Sequence, residues 1–289
     1  MKFEEKFVAF VDVLGFKRIV ESAESGGEFS LPMIMEILGT LGSEKHRAKY
    51  ASYGPHICPE SKSLSKNIGF ELTQISDCVI VSSEISPAGV INLISHCWGA
   101  AAKLLTKGIM CRGYITRGKV FHTPTQIIGS GYQNAFESES GVEAFRRSAD
   151  EIGTPFIEVA PSVVEYIEEE TDECVKKVFN RMVKTDGPLV ALYPFSRFSH
   201  SFVIGGIFGS FNSEKEKKAN QVMREMLFSF REKVMGYVPS GNEKALQKVQ
   251  HYVRALDVQI YECYKTDEMI EKLSGSLLRS GMKKVELAR

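Results

Sequence analysis

The chain has 289 residues, of which 43% are hydrophobic and 25% charged, the composition of an ordinary globular protein. Its 36 basic residues equal its 36 acidic residues, so no net field attracts nucleic acid or an anionic membrane. The six cysteines form no CxxC pair, which argues against a zinc cage and predicts reduced thiols. The N-terminus carries acids where a signal peptide carries bases, and no apolar run approaches the roughly 20 residues of a membrane span. These features predict a cytoplasmic protein.

The N-terminal half alternates strand and helix signals. The apolar run FVAFVDVLGF at 7–16 predicts a buried strand. The segments after it predict a helical region at 17–43 with a break at Gly26-Gly27, an exposed loop at 44–67, a hairpin at 69–84 with its turn at Ser76-Asp77, a helix at 86–107, a strand at Ile109–Phe121 and a helix at Gly129–Ser148.

The second half continues with strand and helix signals and ends in two helical segments. It predicts a strand at 155–160, a helix at 161–180, a hairpin at 181–195 turning at Asp186-Gly187, a helix at 213–235 that buries Ala219, Val222, Met226, Phe230 and Val234, and a helix at 244–258. This order is typical of an α+β fold, a ferredoxin-like sheet with helices packed on one face. We predict a catalytic domain at 1–200 and a helical C-terminal extension at 201–289.

The stretch CRGYITRGKV at 111–120 has nearly the glycine and lysine spacing of a Walker A phosphate loop. A phosphate loop needs Ser or Thr after the lysine and a helix that begins at the second glycine. Here Val120 follows Lys119 and the strand pattern continues, so this interpretation fails. Gly113 and Gly118 instead predict either close backbone approach within a sheet or a bulge.

Two aspartates stand out against this background. Asp12 lies in an apolar strand, where an unpaired carboxylate costs several kcal/mol, so it should be at the strand end, hydrogen-bonded or bound to a cation. Gly15 marks the exit turn, and the amides of the helix that follows could receive phosphate. Asp77 stands at a hairpin tip that can lie beside the same strand end. Two converging carboxylates repel unless a metal ion or a proton lies between them, although Asp77 alone is also typical of a simple turn.

Five segments, taken in order, resemble the class III nucleotidyl cyclases. They are FVAFVDVLGF, QISDCVIV, RGYITRGKV, IIGSGYQNAFE and VKTDGPLVALYP, which together cover roughly residues 7–195. The resemblance implies that Asp12, Asp77 and the backbone carbonyl of Val13 hold two Mg²⁺ or Mn²⁺ ions. It further implies attack of the ribose 3′-oxygen on the α-phosphorus of a nucleoside triphosphate with loss of pyrophosphate. It also implies a homodimer with shared active sites.

The same resemblance assigns nucleotide contacts and shows where this chain departs from the family. The expected contacts near the first aspartate are Phe10, Val11, Val13, Gly15 and Phe16. The purine-reading positions of the family fall on Thr73 and Gln126, which are neutral and match neither purine code. The position of the family's transition-state arginine falls on Glu137 or, after a slip of one residue, on Ser138. Arg112, Arg117 or Lys184 is expected to replace that charge, with Arg112 preferred.

These departures resemble the divergent uridylate and cytidylate cyclases of the Pycsar anti-phage systems. This resemblance implies a pyrimidine nucleotide cyclase, with UTP favoured over CTP, whose cyclic product activates a partner effector. A tyrosine such as Tyr53 or Tyr132 could read the smaller base. The alternative is a catalytically silent, cyclase-like module that binds a nucleotide and signals through its C-terminal helices. The missing arginine favours that alternative, whereas the retention of both Asp12 and Asp77 opposes it.

Overall fold

The computed structural model describes residues 1–42, 60–61, 68–198, 211–236 and 241–279. Of residues 276–279 it describes the backbone alone. The predicted loop at 44–67, with the candidate Tyr53, therefore lies almost wholly outside the described residues, as does the predicted domain boundary at 200.

The first seven elements form the central unit of the sheet. They are β1 (Glu4–Val13), α1 (Phe16–Glu24), α2 (Leu31–Leu41), β2 (Glu71–Ile75), β3 (Cys78–Glu84), α3 (Pro87–Thr106) and β4 (Cys111–His122). The strands lie in the order β2-β3-β1-β4 and every neighbouring pair is antiparallel. This is the ferredoxin-like arrangement, in which each of two crossover connections skips one strand. The predicted α+β class and ferredoxin-like sheet are thus confirmed.

The chain then extends the sheet beyond β4. The further elements are β5 (Ile127–Ile128), α4 (Ser130–Glu139), β6 (Ile157–Val159), α5 (Pro161–Glu168), α6 (Glu173–Met182), β7 (Val183–Asp186), β8 (Leu189–Leu192), a 3₁₀ segment (Pro194–Phe198), α7 (Ser213–Gly236) and α8 (Glu243–Arg279). β6 runs parallel to β4, and the order continues β4-β6-β8-β7. The predicted hairpin at Asp186-Gly187 is confirmed, as β7 and β8.

Two of the predicted helices are too long, and a third, predicted at 244–258, is too short because α8 continues to Arg279. The helix predicted at Gly129–Ser148 ends at Glu139, because turns with Gly141 follow it. The helix predicted at 161–180 is two helices, α5 and α6, since the Asp172 side chain accepts a hydrogen bond from the Cys174 N–H at 2.9 Å and so starts a new helix. In both cases hydrophobic periodicity continued past a local capping signal.

The larger core fills the space between one face of the sheet and helices α1, α2, α3, α5 and α6. Among its buried side chains are Phe7, Ala9, Val11 and Val13 of β1. The opposite face is not bare, since α4 packs there over Val8, Phe10, Ile80 and Val120. The prediction of helices on one face is therefore incomplete.

The close approach of α4 to the sheet depends on two glycines. A Cβ on Gly118 of β4 would lie 2.8 Å from the Cα of Gly131 in α4, so neither position has room for a larger residue. The predicted role of Gly118 in close backbone approach is thereby confirmed. β4 continues as a strand to His122, so no helix starts near Lys119, as the rejection of a phosphate loop requires.

The two C-terminal helices pair with each other as antiparallel partners. Arg231 in α7 binds Asp257 in α8 at 2.8 Å, and Lys217 binds Glu271 at 3.0 Å. The predicted buried face of α7 is partly wrong, since Val222 is 58% exposed while Asn220 is wholly buried. A second core cluster joins both helices to the part of the chain that carries the sheet, through Leu14, Met110, Phe156 and Phe195. The division at 200 stays a prediction.

The cysteine prediction holds for four of the five described cysteines. Cys78, Cys97, Cys111 and Cys263 are free thiols. Cys174 is disulfide-bonded, so reduced thiols are the wrong expectation at this position. Across the residues that the structure describes, no helix has the length and apolar character needed to cross a membrane.

Candidate active site

Asp12 lies one residue before the end of β1, on the face of the sheet that α4 covers. Its strand neighbours are Cys78 of β3 on one side and Arg112 of β4 on the other. Strand alternation puts Val11 and Val13 into the main core and turns Asp12 to the opposite face. The polar residue is thus tolerated in an apolar strand because it points away from the larger core.

Asp77 reaches the same place from the turn between β2 and β3. Ser76 takes a left-handed conformation with φ 53°, and the carbonyl of Asp77 accepts a hydrogen bond from the Val13 N–H at 3.2 Å. One ligand atom from each of Asp12, Asp77 and Cys78 lies within 4.8 Å of the other two. The fold therefore brings the two predicted carboxylates together and adds a thiol beside them.

The electrostatics of this cluster oppose two free negative charges. Burial, followed by the negative charges of Asp77 and Glu139, raises the pKa of Asp12 from its ordinary 3.8 to about 7, and Arg112 opposes the shift. Asp12 in its protonated form shares a hydrogen bond with Asp77. Burial likewise raises the pKa of the Cys78 thiol to about 11, so the thiol is neutral at pH 7. A proton or a cation is needed wherever both carboxylates lie this close.

Arg112 lies beside the pair but is already engaged. Its Nε donates to Glu139 in a short ion pair, and its Nη1 donates to the Gly153 carbonyl at 3.3 Å. Only 15% of the Arg112 side chain and 9% of the Glu139 side chain are exposed. In this arrangement Arg112 faces Asp12 as a neutralising charge and is not open to solvent as a phosphate ligand would be.

The strand leads directly into a helix through Gly15. Gly15 has φ 73°, a left-handed conformation that favours glycine, and it precedes α1. The first N–H groups of α1 that donate hydrogen bonds within this turn are those of Arg18 and Ile19, and both donate to the Gly15 carbonyl. The N–H groups of Phe16 and Lys17 therefore have no acceptor in their own helix. Gly15 and Lys17 are exposed and Phe16 is half-buried.

The other predicted contacts near β1 are placed less favourably. Phe10 is on the correct face but only 4% exposed, and it packs edge-to-face on Phe136 at 5.2 Å between ring centroids. Val11 and Val13 are 1% exposed in the main core, so their side chains face away from the carboxylates. Only their backbone groups could contact a ligand at the strand end.

The two residues predicted to read the base lie close together, but Thr73 is buried and already hydrogen-bonded within the protein. Thr73 is 6% exposed; its hydroxyl donates to the Thr123 carbonyl at 3.0 Å and lies 3.0 Å from His122 Nε2. Ser82 Oγ lies 2.7 Å from the other ring nitrogen of His122. Gln126 is exposed in the same turn, where its carbonyl accepts from the Thr123 N–H at 2.8 Å. The two positions are therefore neighbours, but the Thr73 hydroxyl already has protein partners.

The remaining predicted residues lie on opposite sides of the molecule. Tyr132 of α4 is half-buried against the small cluster on the site face, with its ring 6.2 Å from that of Phe136. Lys184 is on β7, the far edge strand, with its Nζ 4.7 Å from the ring centroid of Tyr193. β7 is four strands from β1, a lateral distance of about 19 Å at about 4.8 Å per strand. Lys184 of the same chain is thus not brought to Asp12.

Sequence reasoning missed Glu139 and Cys78. Gly131, Ala135 and Glu139 recur every four residues in α4 and are all buried. A stripe of two small residues that ends in an acid indicates a carboxylate held against the sheet, and this signal was available in the sequence. Cys78 follows Asp77 directly, and its pairing with Asp12 needed the strand register, which local sequence does not give.

Comparison with known proteins gives little beyond this geometry. No protein-family model matches the chain, and no curated protein matches it. Among solved structures the chain is similar to the catalytic core of a rhodopsin-guanylyl cyclase with converted specificity, crystallised with ATPαS. The identity is 14%, the TM-score is 0.36, and the match covers 59% of this chain and 84% of that chain. A likeness at this level carries no argument about activity, and the fold assignment depends on the strand order itself.

Proposed function

We propose that this chain is a nucleotidyl cyclase that converts a pyrimidine nucleoside triphosphate, UTP in preference to CTP, into its 3′,5′-cyclic monophosphate and pyrophosphate. The observation that carries the proposal is the convergence of Asp12 and Asp77 at one end of the central strands of a ferredoxin-like sheet, with ligand atoms within 4.8 Å. The order of the five cyclase-like segments along the chain supports the same activity.

The donor set fits a hard divalent cation. Two carboxylates at one point provide the oxygen ligands that Mg²⁺ and Mn²⁺ prefer, and the backbone carbonyl of Val13 is available nearby. Burial and then the negative charges of Asp77 and Glu139 raise the pKa of Asp12, and a bound cation would relieve the repulsion among these carboxylates. Bound metal would lower the pKa of the ribose 3′-hydroxyl and neutralise charge on the triphosphate.

The residues of the chain itself supply the other parts of such a site. The N–H groups of Phe16 and Lys17, at the start of α1, can receive phosphate oxygens, and Gly15 leaves the backbone open to their approach. Arg112 holds positive charge next to Asp12 through its ion pair with Glu139. These groups position the triphosphate and balance charge, and positioning supplies a large part of the rate in such displacements.

Pyrimidine preference is supported by the neutral residues at the base-reading positions. Thr73 and Gln126 match neither the lysine of adenine recognition nor the glutamate of guanine recognition in the family that the sequence resembles. Because the Thr73 hydroxyl binds protein groups, the exposed Gln126 and the half-buried Tyr132 are better placed to contact a base. The cyclic product would act as a second messenger in bacterial anti-phage defence.

A homodimer is part of the proposal. Three apolar side chains on or beside the site face are more than half exposed: Ile75, Ile128 and Phe136. Ile75 pairs with Cys78 and so shares the face of Asp12. A second copy would cover these side chains and could bring its own Lys184 or Gln126 to the shared site.

The test is direct. The purified protein is incubated with each of the four nucleoside triphosphates and Mn²⁺, with and without lysate from phage-infected cells, and products are identified by mass spectrometry. We expect cyclic UMP, with cyclic CMP next, and no product from Asp77→Asn. If no nucleotide yields a cyclic product in either condition, the proposed enzymatic activity is refuted.

A second candidate function has one observation in its favour. Arg112 is held by Glu139, and the exposed Glu137 stands where the family has its transition-state arginine, so no described arginine beside Asp12 faces an open site. A silent module that binds a nucleotide and changes the position of α7 and α8 fits this arrangement. Nucleotide binding by calorimetry without any turnover would favour it.

A further inference from the structure

The C-terminal helix α8 shares a core cluster with residues beside the candidate active site. The turn Lys248–Tyr252 contributes Val249 and Tyr252 to this cluster, which also contains Leu14 and Met110. Leu14 follows the Asp12 strand, and its N–H donates to the Met110 carbonyl at 3.0 Å. The helix therefore packs with residues next to the ends of the strands that carry Asp12 and Arg112.

Two buried contacts tie this turn to the site. The Tyr252 side chain is 2% exposed, its ring packs edge-to-face on Phe195 at 4.9 Å between centroids, and its hydroxyl lies close enough to the thiol of Cys111, the residue before Arg112, to affect the pKa of that thiol. His251 Nε2 lies 2.7 Å from a carboxylate oxygen of Glu151, and each of these side chains is 4% exposed. Burying polar groups such as His251 and Glu151 is costly unless they contact each other, so the helix has one well-defined position on the part of the chain that carries the sheet.

The loop that His251 holds is the loop that also holds Arg112. Glu151 precedes Gly153 by two residues, and the Gly153 carbonyl accepts from Arg112 Nη1 at 3.3 Å. Phe156, at the end of the same loop, packs edge-to-face on the His251 ring at 5.8 Å. The third polar group of the turn, Lys248, is half-buried, and its pKa is lowered by burial and by the charge of Arg112. The position of Arg112 is thus set by its own strand, by the ion pair with Glu139, and by a loop that α8 contacts through His251.

We propose that the turn Lys248–Tyr252 of α8 is a positioning element for the candidate active site, with Tyr252 and His251 as positioning residues that set the place of Arg112 beside Asp12. This inference assigns a role to the C-terminal helices and rests on the proposed function for its catalytic consequence. Its structural claim, that α8 determines the surroundings of the Arg112 guanidinium, stands apart from the activity.

The test uses the full chain and Tyr252→Phe, which removes one hydroxyl and keeps the ring in its core. Tyr261→Phe is the matched control, because Tyr261 lies on the same helix and is 60% exposed. The first readout is the nitrogen-15 resonance of the Arg112 Nε–H group, assigned with Arg112→Lys. We expect it to shift or broaden in Tyr252→Phe and to stay unchanged in Tyr261→Phe.

The second readout is the affinity for Mn²⁺ alone and the split between kcat and KM. Loss of one buried polar contact corresponds to about a five- to tenfold change, which we expect in kcat at near-constant KM and thermal midpoint. If Tyr252→Phe does not fold, the same measurements are made on His251→Leu, which removes the donor to Glu151 and keeps an apolar side chain in the core. An unchanged Arg112 resonance in the folded variant would overturn the inference. Wild-type protein without any cyclic product would overturn the proposed function and leave the resonance result to decide this inference.

Discussion

The substitution Asp12→Asn tests the candidate site through stability as well as activity. Burial and the neighbouring carboxylates raise the pKa of Asp12 from 3.8 to about 7. The folded protein therefore keeps a proton on this group up to a higher pH than the unfolded chain does. The free energy of unfolding therefore falls as the pH rises from about 4 to about 7, and the full loss is present at roughly pH 8. Asparagine cannot ionise and removes this loss.

The size of the effect follows from the shift. The interval between 3.8 and about 7 corresponds to roughly 4 kcal/mol at about 1.4 kcal/mol per pKa unit. Because Asp12 is partly exposed, screening by water reduces this figure to about 1–2 kcal/mol. In a chain of this length each kcal/mol moves the thermal midpoint by about 2–4 °C, so Asp12→Asn should gain roughly 2–8 °C at pH 8.

The assay is thermal unfolding of metal-free protein at about pH 8 and about pH 4.5, with and without Mn²⁺. We expect Asp12→Asn to be more stable than wild type only at the higher pH without metal, and to lose the stabilisation that Mn²⁺ gives wild type. The control Glu137→Gln removes a carboxylate from the exposed face of α4 and should change neither result. A variant that is no more stable at pH 8, or that Mn²⁺ stabilises as much as wild type, would refute the assigned electrostatics.

Three further predictions follow from the same geometry. Asp77→Asn should lower the pKa of Asp12, because it removes the largest charge that raises it, and carbon-13 titration of the Asp12 carboxyl measures this. Glu139→Gln should lower the free energy of unfolding by about 3 kcal/mol in urea, because it removes the carboxylate that forms the ion pair with the buried Arg112. A loss below about 1 kcal/mol would show that this pair is not buried in solution. Gly118→Ala should cost about 1–3 kcal/mol, since its Cβ would lie 2.8 Å from the Cα of Gly131. Gly39→Ala, where no atom lies within 4 Å, should not be destabilising.

The parts of the fold that sequence predicted well are those with strong local signals. The hairpin around Ser76-Asp77 has a polar turn between two apolar runs, and both strands form within two residues of their predicted ends. The face of Asp12 also follows from alternation once β1 is recognised. The convergence of Asp12 and Asp77 is less local, because it depends on the strand order that places β3 next to β1.

The errors arise where a tertiary partner overrides a local pattern. Asn220 is buried in α7 because its amide donates to the Cys263 carbonyl and to Asp267, each at 2.7 Å, so a polar residue takes the inward position. Val222, which periodicity assigned to the core, is exposed as a result. Thr73 was predicted from alignment alone to read a base, and alignment could not show that its hydroxyl is bound to Thr123.

Charge balance links the site to its proposed ligand. The groups that act on Asp12 are the carboxylates of Asp77 and Glu139 and the guanidinium of Arg112, so the fully ionised cluster has three negative charges against one positive charge. This excess of negative charge repels a triphosphate, which is itself strongly negative. Without a bound cation, protonation of Asp12 is what reduces the excess. A site of this kind gains affinity for nucleotide when divalent cations enter with the triphosphate, since the cations neutralise both partners. Nucleotide affinity should therefore depend steeply on Mn²⁺ in wild type and weakly in Asp12→Asn.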